Sequence, residues 1–252
     1  MHSQYIIDHD EWAYGQPKLK SAGKVELGPI QGVLPWTGTR NPLTASSISQ
    51  KVAMKYKTAK NNWQPKVGLA ESLAELAVAH EALINPHIYD VEFQPLTFSY
   101  VGPSGGPRWH TIDLRFTYRS GLRCLVFVRN ASSLAKPSVA EEIRAIWRAA
   151  PVHEAHKFAV VDADAYNRAR RDNLRRMHQV VAFEPDPEAD DAVAKVAENI
   201  QNLWRISDLF GSADLQPGRV FKACLRLIAK SALQADMDAV ICQHSRIWRA
   251  EA

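Results

Sequence analysis

The chain is predicted to adopt an α/β fold, a mixed sheet flanked by helices, followed by a smaller and mainly helical C-terminal unit. Three observations predict it. Segments alternating apolar and polar residues fill the stretch 91–130, helix-period segments lie on both sides of it, and the acidic, proline-containing run "FEPDPEADD" sets off the C-terminal stretch. With 46% apolar residues among 252, the chain can bury a sizeable core, which excludes a disordered protein.

Up to about residue 66 the sequence is rich in Gly, Pro, Ser, Thr and Lys and sustains neither a period of 2 nor one of 3.6, so an extended arm is predicted over 1–66. Within it Lys51, Lys55, Lys57, Lys60 and Lys66 recur among Tyr56 and Trp63, which suits either a phosphate backbone or a solvated basic surface. In "GLAESLAELAVAHEALIN", Leu69, Leu73, Leu76, Ala77 and Leu83 fall at helical spacing and "NP" ends the run, giving a helix of about four turns. The segments "VEFQPLTFSYV", "WHTIDLRFTY" and "LRCLVFVRN", joined by "GPSGGPR" and "RSG", read as an antiparallel meander. In "KPSVAEEIRAIWRAA", Ser138 takes the N-cap position of a helix with Glu141 at capping-box spacing. "HKFAVVDAD" is a short strand whose Asp162 and Asp164 suit capping of the helix behind it. That helix, "YNRARRDNLRRMHQVV", concentrates Arg168, Arg170, Arg171, Arg175 and Arg176 within nine residues against the single Asp172, the sharpest basic feature of the chain.

Beyond the acidic break, "AVAKVAENIQNLW", "ISDLF" and "PGRVFKACLRLIAK" read as three helices, the short one capped by the Ser207 and Asp208 pair. "ALQADMDAVICQHSRIWRA" reads as a β-ribbon turning near Asp236 and Asp238. Three helices and a ribbon match winged-helix order, in which the third helix enters the major groove and presents Arg219, Lys222, Arg226 and Lys230 while the ribbon forms the wing. The predicted units are thus an arm over 1–66, an α/β domain over 67–183 and a winged-helix-like domain over 184–252.

The formal charge of +4 is small, so a nucleic-acid partner has to be argued from where the basic residues cluster. Cys124, Cys224 and Cys242 lie far apart in apolar runs, which predicts buried thiols in a reducing compartment, and no CxxC pair exists to hold zinc. The N-terminal stretch "MHSQYIIDHDEW" has no apolar core of a signal peptide and nowhere do eighteen apolar residues run together, so a soluble cytoplasmic protein without a membrane partner is expected. His110 has no partner at ligand spacing, and "HEAH" at His153–His156 reads as a loop.

Metal-dependent phosphodiester hydrolysis calls for a carboxylate at the end of one strand, and a second carboxylate or amide with a lysine two residues beyond it on the neighbouring strand. Residues two apart on a strand share a face, so both would point at the metal. Asp113 supplies the first carboxylate, but the same-face pair on the next strand is Phe127 and Arg129.

The order "ESLAEL", "FQP", "HTID", apolar hairpin, helix, strand, "RARRDNLRRM" and winged-helix-like end resembles TnsA, the endonuclease subunit of heteromeric bacterial transposases, over roughly Val67 to the C-terminus. That family belongs to the restriction-endonuclease-like, PD-(D/E)XK class. The resemblance implies a restriction-endonuclease-like sheet, Glu75 as the helix glutamate that helps ligate metal, Asp113 as the central aspartate, and Gln94 and Pro95 as a structural lead into the first strand. It also implies a transposase or integrase partner. Where the family has Gln/Glu-x-Lys, this chain has Phe127 and Arg129. A phenyl ring offers Mg²⁺ or Mn²⁺ no oxygen, and a guanidinium stays protonated and prefers to pair with a carboxylate. Arg129 is therefore expected to pair with Asp113 or Glu75 in the place of a metal, leaving a degenerate site with no metal ligand set and no cofactor.

The sequence supports three readings. The first is a protein that binds double-stranded DNA on this scaffold without cutting it, as an architectural, regulatory or transposition-related subunit, with a homodimer as the expected oligomer. The second is an atypical Mg²⁺- or Mn²⁺-dependent DNA endonuclease in which Arg129 contacts the phosphate and Glu71, Asp90 or Glu92 supplies a further carboxylate. The third is a protein- or RNA-interaction module whose basic helix docks an acidic partner.

Overall fold

A computed structural model describes residues 23–44 and 50–250. The remaining parts of the predicted arm lie outside the described residues. The arm is corrected where it is described: β1 (Val52–Tyr56) pairs antiparallel with β2 (Lys66–Ala70), and Tyr56 is buried in the main core. Val52, Met54 and Tyr56 alternate with Ala53 and Lys55 in the burial pattern of a half-buried strand, over a run too short for a sustained period to show. Leu69 belongs to β2, so the next helix, α1 (Leu73–Ile84), begins later than its apolar spacing suggested. Its start is fixed by Ser72, whose Oγ accepts the Glu75 N–H at 3.1 Å while the Glu75 carboxylate accepts the Glu71 N–H at 2.9 Å.

The expected meander divides. β3 (Ile88–Phe93), β4 (Thr97–Val101), β5 (Pro107–Thr111), β6 (Leu114–Tyr118), β7 (Arg123–Arg129) and β8 (Lys157–Asp162) form a four-stranded sheet of order β3-β6-β7-β8 and a separate β4-β5 ladder. Each of the two longer runs breaks at its middle. Gln94 has φ 50°, in the left-handed region, Pro95 has no N–H to give a ladder, and the Gln94 N–H donates to the Asp113 carbonyl at 2.9 Å. This pairing of breaks leaves Asp113 outside the strand, immediately before β6.

β3, β6 and β7 are antiparallel neighbours, whereas β7 and β8 are parallel. A parallel pair needs a crossover, provided by α2 (Ala131–Leu134) and α3 (Pro137–Ala149). Ser138 is not the N-cap of α3: Lys136 occupies that position without a side-chain cap, and Pro137 opens the helix with its fixed φ. Asp162 caps the short turn Ala163–Ala165, accepting the Asp164 N–H at 2.9 Å, but the arginine-rich helix that follows is capped by Asn167, whose Oδ1 accepts the Arg170 N–H at 2.9 Å, and not by Asp162 or Asp164 as expected. Alternation along β7 divides two cores. Cys124, Val126 and Val128 pack with α1, while Leu125 and Phe127 pack with Ile146 of α3 and Phe98 of β4. The protein is accordingly mixed α/β, with helices contributing to the cores on both faces of the sheet.

α4 (Arg168–Ala182) covers α1 and also places Met177 and Val180 in a second core with α5 (Pro187–Asn199), the turn Ile206–Leu209 and α6 (Pro217–Ala229). Most of the acidic break is thus the first turn of α5, capped by Asp186. Short strands β9 (Leu233–Ala235) and β10 (Ile247–Arg249) complete the expected antiparallel ribbon. Asp208 accepts the backbone N–H groups of Trp204 and Arg205, as a residue holding the start of that turn does. Cys124 and Cys224 are buried, but Cys242 is exposed on the loop before β10, which corrects the expectation for that thiol. Among the described residues no helix is long and apolar enough to cross a membrane.

Candidate functional site

Glu75, Asp113 and Arg129 come together where α1 meets the end of β7. Asp113 is 3% exposed, and its Oδ2 accepts the Val128 N–H at 2.8 Å. Arg129 Nη1 stands 3.7 Å from that same oxygen and donates to the Val128 carbonyl at 2.8 Å. The guanidinium carbon lies 4.2 Å from the centre of the Phe127 ring, a cation–π contact that fixes where the charge points. Phe127 itself is buried in the apolar core against His110 and Phe158. Arg129 thus pairs with Asp113, while Phe127 provides no oxygen donor.

Burial raises the pKa of both carboxyls, and each acts on the electrostatics of the centre. For Glu75 desolvation is the largest cause, with the negative charge of Asp113 next and Arg129 opposing. For Asp113 desolvation again leads, opposed by Arg129 and by the Val128 N–H. A carboxyl with a raised folded pKa contributes stability that is fully present below the unfolded value and is lost as pH rises through the folded one. Glu75→Gln, which keeps an acceptor for the Glu71 N–H, is therefore expected to gain on the wild type in urea unfolding as pH is taken from 5 to 9. A parallel pH dependence of the two proteins would show that Glu75 carries no such burden.

One member of the centre, Arg40, had no signal in the sequence. Arg40 pairs with Glu71, and both act on Asp113, although Arg40 sits alone in an irregular stretch far away in the chain. Of the three supplementary carboxylates considered, Glu71 is therefore at the centre. Asp90 and Glu92 are engaged elsewhere on β3: Asp90 lies 3.1 Å from Lys60, and Glu92 lies 2.7 Å from Arg115. His110 is held among Phe98, Tyr100 and Phe127, and burial, helped by Arg129, pushes its imidazole down to about 4. Beside the Asp113 carboxylate stand a guanidinium and a phenyl ring, neither of which offers Mg²⁺ or Mn²⁺ an oxygen, and among the described residues no three His, Cys, Asp or Glu side chains group as metal ligands.

The arginines of α4 serve different ends. Arg170 forms a two-pronged pair with Asp238 at 2.9 and 3.1 Å, and Arg176 donates to the Ile241 carbonyl at 2.8 Å, so both tie the ribbon loop to the helix. Asn173 reinforces the same junction through the Met237 and Ala239 carbonyls. Arg168 and Arg175 are exposed, and Arg171 is half-buried, its Nε donating to the Tyr166 carbonyl at 2.5 Å. Arg168, Arg171 and Arg175 line the cleft between α4 and α1. At the far end of α4, Lys57 and Lys55 stand 4.8 and 6.0 Å from the Phe183 ring centre, extending the basic strip.

The expected DNA-reading face of α6 is corrected. Arg226 is 2% exposed and its Nε donates to Asp190 at 2.6 Å; Lys230 holds the other oxygen of Asp190 at 2.8 Å. Arg219 pairs with Asp186 and Glu188, and Lys222 lies 2.6 Å from Glu184. The acidic run that looked like a linker is the counter-charge for this helix, and it draws the polar face of α6 against α5. The side-chain stripe itself was legible; what covers it was not.

Compared with protein-family models, the chain matches none, and a comparison with curated proteins finds no match.

Proposed function

We propose that this protein binds double-stranded DNA without cutting it, on a scaffold of the TnsA-like, restriction-endonuclease-like kind, as an architectural or regulatory subunit beside a transposase or integrase partner. The observation that carries the reading is the Arg129 guanidinium 3.7 Å from the Asp113 carboxylate, with the Phe127 ring beneath it. A fixed positive charge there offsets the carboxylate as a bound cation would, yet it can neither take a proton at neutral pH nor generate a hydroxide nucleophile. The phosphate contacts fall to Arg168, Arg171 and Arg175 with Lys55 and Lys57: Arg175 lies 3.3 Å from Asp172 of its own helix, but both side chains are largely in solvent and free to exchange partners, whereas the cations of α6 are drawn against carboxylates of the α5 segment. The ribbon and the loop tied to α4 form the winged-helix-like end of the same scaffold.

The test is a mobility-shift titration of a short duplex across a salt series, with Mg²⁺ and with Mn²⁺. Retarded and intact DNA is expected, with affinity falling steeply as salt rises. Arg168→Ala with Arg175→Ala should lower the salt slope by about 2, one unit for each arginine withdrawn from a phosphate, whereas Arg219→Ala with Lys222→Ala should leave it unchanged. Metal-dependent cleavage that disappears in Asp113→Ala would overturn the non-cleaving reading, and absence of duplex binding at low salt would overturn DNA binding.

A further inference from the structure

The cleft under the arginine strip has features that a DNA backbone does not use. It encloses about 460 Å³ between α1 and α4, and a second cleft of about 310 Å³ continues it toward the end of α4, the two sharing Leu76, His80 and Arg175. Leu73, half-buried, with Leu76 and Ala77 behind it in the core, forms an aliphatic wall on α1, and Arg168, Arg171 and Arg175 form the opposite rim together with the exposed Asp172, which lies 3.3 Å from Arg175 and leaves the rim a net positive charge of two. Along the second cleft runs β1, through Val52 to Lys55. Among the described residues β2 is the one ladder partner of β1, so the other edge of that strand carries backbone donors and acceptors without a ladder.

A duplex is too broad to enter a cleft of this size. Its phosphates reach the arginine tips from above and leave Leu73 and the strand edge uncovered. An extended peptide uses all three. Aliphatic side chains cover the α1 wall, the backbone can align with the β1 edge, and carboxylates meet the arginines. The spacing is compatible: Arg168, Arg171 and Arg175 are separated by rises of about 4.5 and 6 Å along the helix, and same-face residues of an extended chain by about 7 Å, a difference that the long arginine side chains span.

We infer that the α1–α4–β1 cleft docks an extended acidic segment bearing aliphatic side chains, supplied by a protein partner, and that this segment displaces DNA from the same arginines. The inference rests on the DNA-binding reading for the displacement and on the cleft alone for the docking. It gives the basic helix two ligands that exclude one another. A partner could then load or release the DNA through a short motif, without altering the carboxylate–arginine centre.

The experiment is fluorescence anisotropy on the full chain with two labelled probes: a ten-residue peptide with aliphatic residues alternating among glutamates and aspartates, and a short duplex. The peptide is expected to bind and to compete the duplex off, while a polyglutamate of the same length binds about tenfold more weakly because it cannot cover Leu73. Leu73→Gln should weaken the peptide about tenfold and leave the duplex unchanged; Arg175→Ala should weaken both. Duplex binding without peptide binding, or peptide binding indifferent to Leu73→Gln, overturns the docking site and leaves DNA binding standing. Peptide binding without duplex binding supports the docking site and overturns DNA binding and, with it, the displacement. A ten-nucleotide single strand that binds with sensitivity to Leu73→Gln where the peptide does not would replace the acidic peptide with nucleic acid and overturn the inference.

Discussion

Arg226→Met is expected to cost about 3–5 kcal/mol of stability, the usual loss when one partner of a buried ion pair is removed. Arg226 and Asp190 are both almost fully covered, their charges 2.6 Å apart, and the same guanidinium donates to the Glu184 carbonyl at 3.0 Å in the connection between α4 and α5. Methionine fills much of the volume but leaves the Asp190 carboxylate with Lys230 alone, whose side chain is half in solvent. Urea unfolding monitored by tryptophan fluorescence reads the effect. The double variant Arg226→Met with Asp190→Leu should recover most of the loss, because replacing both charges with apolar groups removes the desolvation cost of each. A single variant with nearly wild-type stability would show that the charge ladder between α5 and α6 does not hold the C-terminal core together.

The second large effect concerns His80 and His178, whose rings lie 4.9 Å apart between α1 and α4. Burial pushes the His80 imidazole down to about 3, with His178 and Arg175 adding to the shift, and pushes that of His178 down to about 4. Such groups contribute stability that is present above the unfolded pKa of about 6.5 and lost as pH falls toward the folded values, because the unfolded chain takes up protons that the native one refuses. From pH 8 to pH 5 the loss is about 2 kcal/mol for each imidazole. Glu75 and Asp113 work with the opposite sign over the acid side of neutrality, so the wild-type profile is flattened by cancellation. The comparison with a variant isolates the histidines. His80→Leu with His178→Leu should gain about 4 kcal/mol on the wild type over that interval. His178 Nε2 is buried without a hydrogen-bond partner, so leucine abandons no bond there. Equal pH dependence of variant and wild type would mean that the imidazoles are hydrated in solution.

Much of the centre was legible because its spacing is local. Period-2 alternation placed Phe127 and Arg129 on one face of a strand, and the family resemblance pointed Arg129 at either Asp113 or Glu75; the structure puts Asp113 just before β6, with Arg129 3.7 Å away. Glu75 was legible as a helix residue, though its place beside the Ser72 cap, which buries it, was not. Arg40 carried no signal, because nothing within several residues of it marks a partner at Glu71. The hairpin Val52–Tyr56 with Lys66–Ala70 was missed for a different reason: strands five residues long among lysines and glycines carry too few apolar positions to establish a period.

The sequence by itself determined the types of most elements, the break after α4, the ribbon at the end, and the distribution of charge along the chain. These depend on neighbours a few positions apart, through dihedral preference, capping and hydrophobic period. Only the tertiary structure decided which charges remain available. Arg219 meets Asp186 across 33 positions, Arg226 meets Asp190 across 36 and Lys230 meets Asp190 across 40, while Arg168 and Arg175 remain exposed beside the aliphatic wall of α1. A helix period reveals a polar face but not its cover, because the cover is set by packing between distant segments, and packing turned the face of α6 toward carboxylates, tied Arg170 and Arg176 of α4 to the ribbon loop and left Arg168 and Arg175 exposed.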